Sequence, residues 1–487
     1  MVFVVAGFIL PRFIDGHIGQ AGLGVWDFAW SFVSYFGLAG IGVGSSVNRY
    51  VAKYRAVHDT EALRTAVSSV WFIQMISSLI VAFVSIGAGL SVPYVFANRL
   101  GDQSVSAQTL VILLGFNLSV QMAFDSYRGV ITGCHRWDIH NGLNAGTYAL
   151  TTIGMVVALA CGGHLVSLGA VYLCCASLGE LVRVYLAHRI CPEIQIRLKY
   201  VTWNQSRTMI EFGLKRMAGG ITGLIVIQGT SLFVAGYLGP AALAVFSRPI
   251  ALVRHLDTFI NKFASVLTPT VGSLKSAGRH RELQDLFLKS TQFGVFLALP
   301  MILFLALLGD PILRVWMGER YEYGMILAVL AVGSFLPLTQ QSAMAILVGM
   351  NLHGKATFAC VLGALCAFGI AVAALTVTGW QLLGAALVIA FSSTVTGGIL
   401  AFYSCYLLRV SVLDFFRQVY LLPVACNLPF AICLLGIRSH FANEHLIALI
   451  IGCCAAVLTL GPLYWRYVVP RANRQKIKIY LGLSHPT

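Results

Sequence analysis

The sequence predicts an all-α polytopic membrane protein, and three observations carry that prediction. Of 487 residues, 58% are hydrophobic and only 10% are charged, against about 25% charged in a soluble domain. The mean hydropathy is +0.82. Apolar runs of bilayer-spanning length recur from end to end, and in lipid only helices and closed barrels satisfy their own backbone groups. The longest polar stretch, HRICPEIQIRLKYVTWNQSR at 188–207, is loop-sized and leaves no room for a soluble domain.

Taken in order, the apolar runs divide into about fourteen spans. They lie near 1–14, 24–47, 66–90, 106–132, 142–162, 165–186, 210–238, 241–266, 287–309, 325–349, 356–378, 382–407, 418–437 and 444–465. The loop after the second, NRYVAKYRAVHDTEALR, carries Arg49, Lys53, Arg55 and Arg64. Loops after later even-numbered spans read SRTMIEFGLKR, SLKSAGRHREL and NLHGK, and the tail reads RANRQKIK. Loops after odd-numbered spans hold few cations: Arg12, Arg99, Arg314, Arg320 and Arg438. By the positive-inside rule both termini are cytoplasmic. The net charge of +15 therefore reports topology, and no nucleic-acid partner is expected.

An internal repeat organises the spans. IGQAGLGVW (18–26) aligns with LGPAALAVF (238–246) at an offset of 220. At that offset the basic loop VAKYRAVHDTEALR falls on VGSLKSAGRHRELQ. Slightly shorter offsets set VITGCHR (130–136) against LVGMNLH and the GGH of 162–164 against TGW (378–380). The chain accordingly divides into a six-helix lobe at 1–208, a second at 209–410, and two extra helices with a basic tail at 411–487. An even number of spans per copy gives both lobes one orientation, related by a pseudo-two-fold along the membrane normal. Transporters of that build bind substrate near the midplane between lobes.

The repeat also explains the opening run. FIDGHIG (13–19) matches FVAGYLG (233–239), which places Met1 opposite Ile221, about ten residues inside the seventh span. MVFVVAGFILPRF then reads as the outer half of a helix, and a start codon further upstream is expected. A signal peptide is not expected here, since MVFVVAGFILPRFID shows no cationic n-region or small-residue cleavage site.

Chemistry-bearing motifs are few. Twelve cysteines include the pairs Cys174–Cys175 and Cys453–Cys454 but no C-x-x-C; they read as small hydrophobes. CHRWDIH (134–140) is read as a polar connector rather than a metal site. Gly40, Gly42 and Gly44 lie in a span with no preceding strand, so they suit close helix packing or a bend rather than a dinucleotide loop. No P-loop, HExxH or nucleophile elbow occurs, and no cofactor, metal or enzymatic activity is expected. A glycosyltransferase would need a larger outer loop than any found.

IGQAGLGVW, followed by the glycine-rich YFGLAGIGVGSSVNRYVAKY, resembles the polysaccharide-transporter family over about residues 1–410. That family belongs to the multidrug/oligosaccharidyl-lipid/polysaccharide (MOP) exporter superfamily and includes bacterial O-antigen (lipopolysaccharide) and exopolysaccharide flippases. The resemblance implies two six-helix lobes around a cationic cavity in the bacterial cytoplasmic (inner) membrane. It implies as substrate a polyprenyl-pyrophosphate-linked oligosaccharide, moved from the inner to the outer leaflet. Membrane lipids, a polysaccharide polymerase and glycosyltransferases are the partners, and coupling to Na+ or H+ is open. The second reading is a multidrug cation antiporter of the same superfamily, which needs buried acids where a flippase needs bases.

Ionisable residues inside spans are costly, so each is a functional candidate. The eighth span, VFSRPIALVRHLDTFINKF, is the richest. Arg254 sits at its middle, either lining a hydrated cavity or paired with Asp257. Arg248, His255 and Lys262 are seven apart and share one face, with Arg254 adjoining it. Arg248 and Lys262 either serve the substrate or snorkel. Such a stripe suits a pyrophosphate. The repeat counterparts of Arg248, Arg254 and Lys262 are Phe28, Ser34 and Gly42, so the cations belong to one copy. Asp125 and Arg128, and likewise Glu180 and Arg183, are i,i+3 pairs with a structural or coupling role. Asp27 is an interfacial acid or a proton-coupling site, and Arg12 faces the cavity or the headgroups.

Overall fold

Lipid offers the backbone no partner, so apolar runs become helices. The computed structural model describes residues 2–40, 44–203, 206–207, 210, 222–379, 381–441, 443–468 and 474. Gly42, Trp380 and nearly all of the basic tail lie outside the described residues. Among the described residues there is no strand.

The chain folds as two compact units, Met1–Ser247 and Arg248–Thr487. The first holds α1 (Val2–Ser34), α2 (Gly44–Ala56), α3 (Thr60–Val95), α4 (Ser104–Gly133), α5 (Trp137–Ala160), α6 (Leu165–Ile190) and α7 (Gly229–Leu238). Helix α8 (Pro240–Ser265) begins in the first unit and ends in the second. The second unit continues with α9 (Leu267–Ser276), α10 (His280–Leu307), α11 (Gly309–Met317), α12 (Gly324–Gly333), α13 (Phe335–Thr339) and α14 (Gln341–Gly349). It ends with α15 (His353–Thr378), α16 (Leu382–Leu408), α17 (Val412–His440) and α18 (His445–Tyr467).

Nine helices among the described residues are long and apolar enough to cross a membrane: α3 to α6, α10 and α15 to α18. Their outward apolar side chains, such as Val377 at 87% exposure and Val457 at 72%, are what a lipid-facing surface presents. The other runs read as spans are charged, short or broken. The expected helix over 24–47 is interrupted: α1 ends at Ser34, a 3-10 segment runs Tyr35–Gly40, and α2 starts at Gly44. Gly37 and Gly40 weaken helix there, each by about 1 kcal/mol relative to alanine. The run 325–349 is three short helices, α12 to α14, broken at Ser334 and Gln340, with Pro337 between the breaks. The first two expected spans merge in α1 across a kink at Gly19, whose φ of 80° and ψ of 171° are non-helical.

The repeat recurs as geometry inside each unit. Positive φ occurs at Gly19, His58, Gly101, His135 and Gly162, and again 216 to 220 residues on at Gly239, Gly278, Gly318, Asn351 and Gly379. A Cβ on Gly133 would meet Val51 and the Asn48 carbonyl; on Gly349 it would meet Val271 and the Thr268 carbonyl. Those partners are related by the same offset of 220. The buried clusters repeat too, Val51, Leu63, Val67 and Val130 in one unit answering Val271, Leu283, Phe287 and Ile346 in the other. The two extra helices have no such counterpart. In α17, Tyr420 meets Thr339 at 2.9 Å and accepts from Gln340 at 2.8 Å. In α18, Tyr464 donates to the Phe296 carbonyl at 2.8 Å.

The opening motif now has a physical basis. Gly19 supplies the kink, and a Cβ on Gly24 would lie 1.7 Å from the carbonyl oxygen of Pro240, the first residue of α8. Backbone cannot give way as a flexible side chain does. Gly24→Ala is therefore expected to destabilise by more than the ~1–3 kcal/mol of ordinary overpacking. Gly16→Ala, with nothing within 4 Å, is the control and should be within about 0.5 kcal/mol of wild type. Thermal unfolding of the purified protein in detergent checks both; equal midpoints for the two variants would refute the contact.

Candidate functional site

Helix α8 is built from two opposed faces. Leu252, Leu256, Ile260 and Ala264, spaced by four, are all buried. Leu256 and Ile260 pack with Ala298, Ile302, Ala331 and Leu338 of the second unit. On the other side Arg254, Asp257, Thr258, Asn261, Lys262 and Ser265 are all exposed. Their spacing of i, i+3, i+4, i+7, i+8 and i+11 puts them on one helical face. Arg254 lies roughly 21 Å of helix from Pro240 and roughly 16 Å from Ser265 at 1.5 Å per residue. Snorkelling does not carry a side chain that far.

The exposed stripe differs from the expected one. Arg248 is buried, at 4% exposure, and His255 is half-buried. At 100° per residue Arg248 falls about 120° round the helix from Arg254, outside the arc that Thr258, Asn261 and Ser265 mark. The structure thus groups Arg254 and Lys262 with Asp257 and leaves Arg248 and His255 on the flank. Asp257 does not answer Arg254: its carboxylate accepts from Gln341 Nε2, whose residue opens α14. Among the described residues Arg254 makes no ion pair. Thr258, Asn261 and Ser265 escaped the sequence reading, which weighed only formal charges; the polar spacing from 254 to 265 was the available signal.

The remaining candidates lie in the first unit. Arg12 is exposed in the first half of α1, and Asp27 is half-buried beyond the Gly19 kink. Asp125 and Arg128 pair at 3.4 Å, and Gln74 of α3 donates to Asp125 at 3.1 Å. Glu180 and Arg183 pair at 3.4 Å with side chains only 9% exposed. Arg183 donates to Asn144 of α5 at 2.9 Å, and Asn144 contacts His140 at 3.1 Å. The two pairs feel each other's charge, and the set of two acids and two arginines is neutral. Gln74 and Asn144 went unnoticed in the sequence, because uncharged partners on other helices leave no local pattern, and His140 reads there only as part of the polar connector CHRWDIH. No group of three or more His, Cys, Asp or Glu side chains among the described residues is arranged to hold a metal ion.

Comparison with known proteins places these observations. A family described as "Polysaccharide biosynthesis protein" matches residues 53–326. A putative O-antigen transporter of Shigella flexneri is 21% identical over 335 residues, 66% of this chain and 76% of that one. Among solved structures, an inward-facing multidrug resistance MATE family transporter of the MOP superfamily superposes with a TM-score of 0.72 at 13% identity, covering 84% of this chain and 94% of its own. The lipid II flippase MurJ, in an inward closed conformation, gives 0.71 at 13% identity over 96% of this chain and 97% of its own. With its membrane-spanning helices and the match over more than half its length, the chain belongs to the polysaccharide biosynthesis protein family, and it carries the fold of the MOP transporter superfamily.

Proposed function

We propose that this transporter is a flippase for a polyprenyl-pyrophosphate-linked oligosaccharide, carrying it from the inner to the outer leaflet of the bacterial cytoplasmic membrane by alternating access. The observation that carries the reading is the exposed polar face of α8, with Arg254 at mid-helix and Lys262 two turns on. A face of that kind is met by water or by a polar ligand, since lipid leaves it unsatisfied. Two cations against one acid, itself held by Gln341, favour an anionic headgroup. Arginine and lysine both bind phosphate oxygens, arginine as a bidentate fork and lysine as a point charge. Glycosyltransferases then supply the substrate inside, a polymerase consumes it outside, and both termini are cytoplasmic. Arg248 and His255 flank this face on α8. Asp27, Asp125 and Asp257 are the acids open to Na+ or H+ coupling; Asp125 pairs with Arg128 and accepts from Gln74, and Asp257 accepts from Gln341.

The cation antiporter is the second reading, and the sign of the α8 face counts against it. Proteoliposomes separate the two. Fluorescent polyprenyl-pyrophosphate oligosaccharide in the inner leaflet should become accessible to an impermeant quencher only when the protein is present. Gradient-driven efflux of a cationic dye with no lipid movement would overturn the proposal.

A further inference from the structure

Among the residues that the transport reading does not use, the first unit holds a dithiol beside a cavity. Cys134 ends α4, and Cys191 follows α6. They are 57 positions apart in the chain, yet Cys134 packs against the buried cluster that contains Cys191. Cys191 is fully buried and donates to Glu193 Oε2 at 3.1 Å. Glu193 in turn lies 4.0 Å from the Arg55 guanidinium of α2. Cys134 is only half-buried and lines a cavity of about 350 Å³ with Arg55, His58, Thr60, His135 and Glu193. A backbone network holds this corner: Arg64 donates to the Glu193 carbonyl at 3.0 Å, and Ser68 accepts from Arg197 N–H at 3.3 Å.

We propose that Cys134 and Cys191 form a peroxide-responsive dithiol, Cys134 being the thiolate oxidised from the cavity and Cys191 the thiol that resolves it. The chemistry balances with a hydroperoxide as the oxidant. The Cys134 sulfur attacks the peroxide oxygen, breaking O–O, and leaves a sulfenic acid and one water. The Cys191 sulfur then displaces the sulfenic oxygen as a second water and closes the S–S bond. Two thiols and one hydrogen peroxide give one disulfide and two waters, the sulfurs losing two electrons and the O–O bond accepting them.

The surroundings suit each sulfur to its step. Cys191 first, and then Arg55, draw the Cys134 thiol down, and burial opposes both. Cys191 is pushed the other way, by Cys134 first and then by burial and Glu193, so it keeps its proton until Cys134 is oxidised. The cationic neighbour and partial exposure of Cys134 are the setting in which thiolates react. The internal repeat sharpens the contrast. At the corresponding corner of the second unit, Lys275 occupies the place of Arg55 and donates to the carbonyl of Met350, which stands where Cys134 does. The scaffold is common to both copies, and the dithiol belongs to one.

The test is peptide mapping of the purified full-length protein after brief hydrogen peroxide treatment, with free thiols alkylated before digestion. The expected product is a linked pair of Cys134 and Cys191 peptides, two hydrogens lighter than the free thiols and reversed by reductant. Cys134 should be lost sooner than the exposed Cys161. Cys191→Ser should leave Cys134 as a sulfenic acid that dimedone traps, and Arg55→Ala should slow oxidation roughly 3- to 10-fold at neutral pH. The wild-type map stands alone should a variant fold poorly. Oxidation of Cys161 with Cys134 and Cys191 still free would overturn the proposal, as would a stable Cys134 sulfenic acid in the wild-type protein.

Discussion

Arg254→Ala is expected to cut lipid-linked oligosaccharide transport by at least about 30-fold with the protein level unchanged. Truncating one partner of a desolvated, hydrogen-bonded charge pair costs about 2–5 kcal/mol, and each 1.4 kcal/mol is a factor of ten. The position is mid-helix and exposed, and among the described residues Arg254 makes no ion pair, so the loss falls on the ligand rather than on an internal pair. Arg254→Lys keeps the charge but loses the bidentate fork, and it should fall between alanine and wild type. Arg254→Glu should transport least. Ser34→Ala alters the repeat-equivalent position, where the hydroxyl merely donates to the Trp30 carbonyl at 2.6 Å, and it should transport normally. Initial flipping rates in proteoliposomes, with cell-surface polysaccharide as the check in cells, measure the series. Wild-type transport by Arg254→Ala would remove this residue from the mechanism.

The asymmetry behind that prediction is legible in the sequence. Duplication gave both copies the Gly-turn, the kink at Gly19 and Gly239 and the basic loop, and these follow sequence similarity at one offset. What differs is helix continuity: α1 ends at Ser34, whereas α8 runs eleven residues past its equivalent, Arg254. Gly37 and Gly40 stand where the second copy has Asp257 and Ile260. Hydropathy alone reads both segments as spans, because glycine is nearly neutral on such scales, while its cost lies in backbone entropy. Burial on α8 was less legible. Charge spacing placed Arg248 in line with Lys262, but which arc of a helix is covered depends on neighbours far along the chain. The dithiol was invisible for the same reason: Cys134 and Cys191 meet only after α5 and α6 have crossed and returned.

The second large effect is expected at Arg183, and it separates a structural role from a coupling role for the neutral network of the first unit. Arg183 and Glu180 each have side chains 9% exposed and pair at 3.4 Å. Arg183→Leu leaves the Glu180 carboxylate buried with its countercharge gone, and removing one member of a buried pair costs about 3–5 kcal/mol. A fall of roughly 10 °C in the unfolding midpoint of the detergent-purified protein follows for a unit of this size. Replacing both by leucine removes the charge and the need for it together. Well-packed apolar pairs at such sites are commonly neutral or stabilising, and Asn144 retains its contact with His140. The double variant should therefore melt near wild type although it lacks both charges. Normal transport by that variant assigns the pair to structure. Lost transport at wild-type stability makes Glu180 and Arg183 part of the coupling machinery, because charge would then be needed for movement where it is not needed for folding.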